Sequence, residues 1–277
     1  MTFLERMAVA SRARVRVARA AENDAALERR ALATPPPSPL VLEGFDVIAE
    51  LKLRSPAAGG LASGDFDRNA QLESYARAGA AAVSVLTEPT EFQGELAHLV
   101  DAAKLLARER RPAMRKDFLT DPYQVLEARA AGAGGVLVIV TMLDDDTVRA
   151  LVDCARACGL FVLLEAFDRA DLERLAPFDE PARSGPPLLA GVNCRDLRDL
   201  DVRFARFTEL APYLPRHLPT VAESGIGTVE DVRTVAAAGY RLALIGSTLM
   251  RAADPAAALA ALIAAGRAST RQEQTCS

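Results

Sequence analysis

From residue 46 onward, short aliphatic or β-branched runs alternate with longer stretches rich in Ala, Leu and Arg. The runs are 46–51, 82–86, 112–115, 135–140, 160–165, 188–193, 220–223 and 242–245. Runs that are apolar on both faces suit strands buried in a parallel sheet. The intervening segments, such as 72–78, 124–131, 145–158, 170–175 and 229–238, carry helical patterns. Several end at a glycine suited to a helix C-cap, namely Gly79, Gly132, Gly159 and Gly239. Eight such units in about 230 residues predict an α/β chain of the (β/α)8 TIM-barrel type. An open doubly wound sheet is the alternative. It usually has fewer strands and a Gly-rich first turn, and here neither GxGxxG after the first run nor GxxxxGK[ST] occurs.

Residues 3–33 are rich in Ala and Arg, contain no Gly or Pro, and predict one or two helices. Up to Ala21 the only acid is Glu5, a composition shared with targeting peptides. Glu22, Asp24 and Glu28 follow at once and the helical pattern continues through them, which favours a folded extension. Pro35-Pro36-Pro37-Ser38-Pro39 then stops the helix and makes a stiff connector. The expected division is a helical extension with connector over 1–44, a barrel over 45–265, and a polar, fraying tail over 266–277.

The composition, 50% hydrophobic and 25% charged in 277 residues, is that of a globular protein. No uncharged apolar stretch is long enough to cross a bilayer, so the chain is expected to be cytoplasmic and free of membranes. A net charge of -4 argues against bulk affinity for nucleic acid. Cys154, Cys158, Cys194 and Cys276 form no CxxC pair and read as reduced thiols. His98 and His217 lie too far apart in sequence to suggest a His-rich metal site. One count changes the picture: of 33 basic residues only Lys52, Lys104 and Lys116 are lysines. Arginine stays protonated, whereas lysine is compact and its pKa can be lowered, so a retained lysine is a candidate for chemistry.

Barrel chemistry sits at the C-terminal ends of the strands. There the sequence places Glu50 and Lys52, Arg115-Lys116-Asp117, Glu165, Asn193-Cys194-Arg195-Asp196, Glu223-Ser224-Gly225 and Gly246-Ser247. A charged residue at a strand end is as often a salt-bridged loop residue as a functional one, and lysine scarcity tips Lys52 and Lys116 toward function. Lys104, in a helical stretch with Arg108, reads as solvated. Glu50 and Lys52 share parity and can both face the mouth. Glu165 ends an apolar run, so it is either paired or has a raised pKa. The turns at Ser224-Gly225-Ile226-Gly227 and Gly246-Ser247-Thr248 offer backbone N–H groups to a phosphate, although glycine also merely permits a tight turn. Cys154 and Cys158, at i and i+4, read as structural. Cys194 reads as a small packed residue.

Taken together, the segments resemble the indole-3-glycerol phosphate synthase family. The resemblance rests on Ile48-Ala-Glu-Leu-Lys-Leu-Arg-Ser-Pro56, Val83-Ser-Val-Leu-Thr87, Phe92-Gln-Gly94 and Met114-Arg-Lys-Asp-Phe118. It continues through Asp121-Pro-Tyr-Gln-Val125, Gly191-Val-Asn-Cys-Arg-Asp-Leu197, Val221-Ala-Glu-Ser-Gly-Ile226 and Ile245-Gly-Ser-Thr-Leu-Met250. It implies conversion of 1-(2-carboxyphenylamino)-1-deoxyribulose 5-phosphate to indole-3-glycerol phosphate by a carboxy-lyase with no cofactor and no metal. It implies Lys116 as general acid in ring closure, Glu165 as its acid–base partner in dehydration, and Lys52 as anchor and proton donor, supported by Glu50 and Asn193. Ser55 and Arg195 are implied as mouth contacts, Glu223 and Ser224 as lining, and the backbone at Gly225, Gly246 and Ser247 as the phosphate site. The implied partner is a small phosphorylated substrate, and the implied assembly a monomer or weak homo-oligomer.

The chain departs from the family pattern at Ala57 after Ser55-Pro56, at Ala166-Phe167 after Glu165, at Cys194 between Asn193 and Arg195, and at Leu53 after Lys52. None removes a proposed acid or base. Two alternatives stay open: a paralogue acting on a modified anthranilate-derived substrate, and a catalytically inactive barrel that binds a phosphate ligand. A sister phosphosugar isomerase is disfavoured, because it needs a cysteine where Glu50 and Lys52 stand.

Overall fold

The computed structural model describes residues 1–55, 59–60, 66–181, 185–197 and 201–275, with the side chains of residue 55 and of 271–275 left out. Two helices lead, α1 (Phe3–Ala21) and α2 (Asp24–Ala33). The sequence left open whether this stretch is one helix or two. The break falls at Glu22-Asn23, where the Asn23 side chain accepts from the Ala26 N–H and starts a new helix. After the proline connector come β1 (Asp46–Leu51), a short hairpin of Arg54–Ser55 with Gly59–Gly60, α3 (Arg68–Arg77), β2 (Ala82–Leu86), α4 (Leu96–Arg108), β3 (Ala113–Lys116) and α5 (Pro122–Ala130). Next are β4 (Gly135–Ile139), α6 (Asp145–Ala157), β5 (Phe161–Ala166), α7 (Arg169–Glu173), β6 (Leu188–Asn193) and α8 (Arg206–Leu210). The chain closes with β7 (Thr220–Glu223), α9 (Val229–Ala237), β8 (Leu242–Ile245), α10 (Ser247–Arg251) and α11 (Pro255–Thr275).

The eight strands β1–β8 close into a parallel barrel in sequence order, with β1 paired to both β2 and β8. The open doubly wound alternative is excluded. Strand alternation divides the apolar residues into two cores. Val47, Ala49, Val83, Val85, Val136, Val138, Val162 and Leu164 point outward and are buried under the helices. Ile48, Ala82, Met114, Leu137, Phe161, Leu163, Leu189, Val221, Leu242 and Leu244 point inward and fill the barrel. A Cβ on Gly135 would collide with the Phe161 ring, so the glycine gives that ring its space.

Helix α1 joins this inner core. Phe3, Leu4 and Met7 pack with Phe118 and the barrel interior, Ser11 accepts from Gln124 on α5, and Arg14 donates to the loops beyond β2 and β3. At the other end of the chain, residue 266, where a polar tail was expected to begin, lies inside α11 (Pro255–Thr275). Gly266 lets the helix backbone meet the Phe45 ring, and Arg267 pairs with the buried carboxylate of Asp46 at 2.7 Å. Polarity alone had suggested solvent there.

Candidate active site

The inward parity that fills the barrel also carries the chemistry. Glu50 follows Ile48 by two residues, Lys116 follows Met114, Glu165 follows Leu163, Asn193 follows Gly191 and Glu223 follows Val221. Each polar residue therefore caps an apolar inner column at the C-terminal end of its strand. Together with Lys52 and Arg195 they line one cavity of about 380 Å³.

Two clusters form its floor. Lys52 Nζ lies 2.7 Å from Glu50 Oε1. Lys116 Nζ lies 3.1 Å from Glu165 Oε2 and 3.4 Å from Glu223 Oε2. Burial would push the Glu50 carboxyl up, but Lys52, Lys116 and Arg195 together hold it below the usual carboxylate range. Burial likewise opposes the Lys116 charge, and the surrounding Glu165, Glu223 and Glu50 outweigh it and raise the ammonium's proton affinity. Glu223 goes the other way. Burial and the neighbouring Glu165 raise it well above the ordinary value, against the pull of Lys116. One cation thus faces two buried carboxylates, and this crowding of negative charge is what raises the proton affinity of Glu223. Glu165 Oε1 and Glu223 Oε1 are buried with no hydrogen-bond partner.

Two glycines make room for the carboxylates. A Cβ at Gly191 would strike Glu223 Oε1, and one at Gly246 would lie 2.5 Å from Glu50 Oε1 and 3.1 Å from Lys52 Nζ. Gly191 carries no chemistry and stood in the sequence only as part of a family segment.

The other end of the cavity is made of turns. Ser224 and Gly225 have φ of 66° each, so two successive residues turn in the left-handed region just beyond Glu223. Side chains rarely adopt this conformation, and Ser224 is strained there. Ser224, Gly225 and Gly227 after β7, with Gly246, Ser247 and Thr248 after β8, line the same wall. Arg251, one helical turn beyond Ser247, also reaches this wall, and the sequence reading passed over it.

Sequence reasoning also passed over the apolar wall. Phe3, Phe92, Phe118, Leu137 and Leu197 also line the cavity. Phe118 packs edge-on against Phe3 at 5.9 Å and tilted against Phe92 at 6.2 Å. These rings come from α1, the loop after β2 and the loop after β3, and no local pattern joins them. Their signal was available in one respect: Phe92 and Phe118 lie in segments already singled out.

Other expectations fall outside this cluster. The side chain of Ser55, and residues Pro56, Ala57 and Ala58, lie outside the described residues, as does Cys276. Cys194 is fully buried and sits where a Cβ on Gly225 would come within 2.7 Å of its sulfur. Burial pushes its thiol up to about 11, consistent with packing and not with nucleophilic chemistry. Lys104 is exposed on α4. Phe167 is buried in the inner core and its N–H donates to Asp171. Among the described residues, no group of three or more His, Cys, Asp or Glu is placed to hold a metal ion, and no helix is long and apolar enough to cross a membrane.

The family model described as indole-3-glycerol phosphate synthase matches residues 4–262. The indole-3-glycerol phosphate synthase of Parafrankia sp. is 40% identical over 270 residues, covering 96% of this chain and 97% of the relative. That of Nocardioides sp. is 44% identical over 217 residues, covering 78% of this chain and 79% of the relative. Among solved structures, 3-hexulose-6-phosphate synthase from Salmonella typhimurium superposes with a TM-score of 0.62 at 14% identity, covering 81% of this chain and 99% of that one. At that identity the likeness is one of fold alone.

Proposed function

The chain belongs to the indole-3-glycerol phosphate synthase family, and from that premise we propose that its cavity converts 1-(2-carboxyphenylamino)-1-deoxyribulose 5-phosphate to indole-3-glycerol phosphate, releasing carbon dioxide and water. The observation that carries the reading is the buried Lys116–Glu165–Glu223 cluster between an apolar wall and a wall of backbone turns. The substrate has the same three parts: an aromatic ring, a ketone that must be protonated, and a phosphate.

In this reading the ring packs on Phe3, Phe92, Phe118 and Leu137, and the phosphate takes N–H groups at Gly225, Gly246 and Ser247. Arg195 faces the ring carboxylate, for which a guanidinium is suited. The ring carbon bearing the carboxylate attacks the ketone carbon while Lys116 gives a proton to the ketone oxygen. Its raised proton affinity keeps the ammonium loaded, and Lys52, held by Glu50, is the second donor. Loss of carbon dioxide leaves its electron pair in the ring system. The hydroxyl made from the ketone then departs as water, and Glu165 exchanges the protons of that step. Glu223 holds one proton beside Lys116 and Glu165. Asn193 accepts the N–H of Arg195 at 3.0 Å and so fixes the start of that loop. Ser55 and Ser224 complete the lining.

The residues implied by the family match are all present, which favours a working synthase over an inactive barrel. The enzyme is proposed to act in the cytoplasm as a monomer or weak homo-oligomer, on plain or ring-substituted anthranilate-derived substrate, without a cofactor.

The test mixes purified protein with the substrate and follows indole fluorescence, to which a chain with no tryptophan adds little. Turnover that disappears in Lys116→Ala and Glu165→Gln supports the assignment. Substrate bound but not turned over would move the reading to an inactive barrel, and preference for a substituted ring would move it to a specialised paralogue.

A further inference from the structure

We infer that Arg14, on the N-terminal helix, clamps the loops after β2 and β3 to each other and so positions the aromatic wall that receives the substrate's ring. The inference rests on the reading of the cavity above and goes beyond it by assigning a task to a residue outside the barrel.

The guanidinium of Arg14 donates from Nη2 to Asp117 Oδ1 at 2.6 Å and from Nη1 to Glu88 Oε1 at 3.5 Å. Both carboxylates are buried, and each organises its own loop. Glu88 accepts the backbone N–H groups of Thr90, Glu91 and Phe92 at 2.9, 2.7 and 3.2 Å, which folds the loop so that Phe92 meets the cavity. Asp117 accepts the Phe118 N–H at 2.8 Å and the Thr87 hydroxyl at 2.7 Å. The two loops therefore end in two buried negative charges, and two such charges repel unless a cation sits between them. Arg115 supplies part of that compensation, at 3.2 Å from Asp117 Oδ2. Among the described residues Arg14 is the group that touches both carboxylates, and its fork of donors suits the geometry in a way a single ammonium does not. The same helix brings Phe3 against Phe118, so the polar lock and the third ring of the wall arrive on one rigid element.

Other bonds also dock α1. Ser11 accepts from Gln124 at 2.9 Å, and Arg19 pairs with Asp121 and Asp24 at 2.7 Å each. None of these reaches Glu88 or Asp117. They allow docking of the helix to be separated from clamping of the loops.

The test measures affinity for indole-3-glycerol phosphate and for inorganic phosphate, with steady-state kinetics, in wild type, Arg14→Met, Arg14→Lys and Arg19→Met. Arg14→Met is expected to weaken indole-3-glycerol phosphate about tenfold. Inorganic phosphate affinity should stay unchanged, and KM should rise by a similar factor with a smaller change in kcat. Arg14→Lys, whose one ammonium serves one carboxylate at a time, should fall between. Arg19→Met should behave as wild type. Equal loss in Arg14→Met and Arg19→Met would overturn the clamp in favour of simple helix docking. Parallel loss of both ligands would overturn it in favour of general loosening. If Arg14→Met does not fold, wild-type affinity in Arg14→Lys overturns the need for a fork. A wild-type protein that binds phosphate but not indole-3-glycerol phosphate would sink the functional reading itself, an outcome visible before any variant is made.

Discussion

Gly191→Ala adds one methyl group to the inner face of β6, 32 residues before Glu223 in sequence, yet it should damage the site. The new Cβ would collide with Glu223 Oε1 and stand 3.0 Å from Leu163 Cδ1. Leu163 is packed inside the barrel, so the carboxylate must move. Overpacking of this kind costs about 1–3 kcal/mol. Displacing Glu223 also weakens its 3.4 Å contact with Lys116, a charge-assisted bond worth about 1.5–3 kcal/mol. The melting temperature should fall by about 2–4 °C per kcal/mol. Turnover should fall by up to about a hundredfold, the scale of a misplacement near 1 Å. Thermal unfolding and the indole fluorescence assay read the two effects. A double-mutant cycle locates the cause: with Glu223→Ala already in place, the methyl meets mainly Leu163 and its added cost should shrink. A Gly191→Ala enzyme with wild-type turnover and melting temperature would refute the reasoning. So would an undiminished cost in the double mutant.

Two further outcomes follow from the same structure. Because the proton affinity of Glu223 is raised by folding, its ionisation opposes the folded state as pH rises above the unfolded value of about 4.3, and the effect levels off above the folded value. Glu223→Gln should therefore lose activity while its melting temperature gains on wild type between acid and mildly alkaline pH. A constant difference across that range would contradict the sign. Arg267→Met removes the partner of buried Asp46 and the 3.2 Å bond to the Phe45 carbonyl. Urea denaturation should show a loss of about 1–3 kcal/mol, and an unshifted midpoint would mean that α11 is not anchored there.

The strand pattern was legible because a strand buried on both faces has to be apolar along its whole length, and turns and glycines punctuate it. Parity inside the first run also put two polar residues on one side, and the closed barrel shows the same spacing elsewhere. Glu50 and Lys52 share a face, and Lys116, Glu165 and Glu223 stand two residues beyond Met114, Leu163 and Val221. Residue type marked the candidates for chemistry, above all the lysines kept in an arginine-rich chain. The raised proton affinity of Glu223 depends on distances across the barrel. Glu165 ends an apolar run and was expected to be paired or perturbed; it is paired with Lys116, and only closure of the sheet sets Glu165 and Glu223 beside that ammonium.

The remaining features are products of long-range packing. Polarity after residue 265 suggested solvent, yet Arg267 is polar because it meets Asp46 from the far end of the chain. Phe3, Phe92 and Phe118 are ordinary core residues in sequence. They come to line one cavity because α1 lies across two loops more than 70 residues away in sequence, from Arg14 to Glu88. Periodicity and residue chemistry are local properties, so the sequence alone determined the barrel and its candidate catalytic groups. Proton placement, the aromatic wall and the clamp depend on contacts between distant segments, and the tertiary structure decided them.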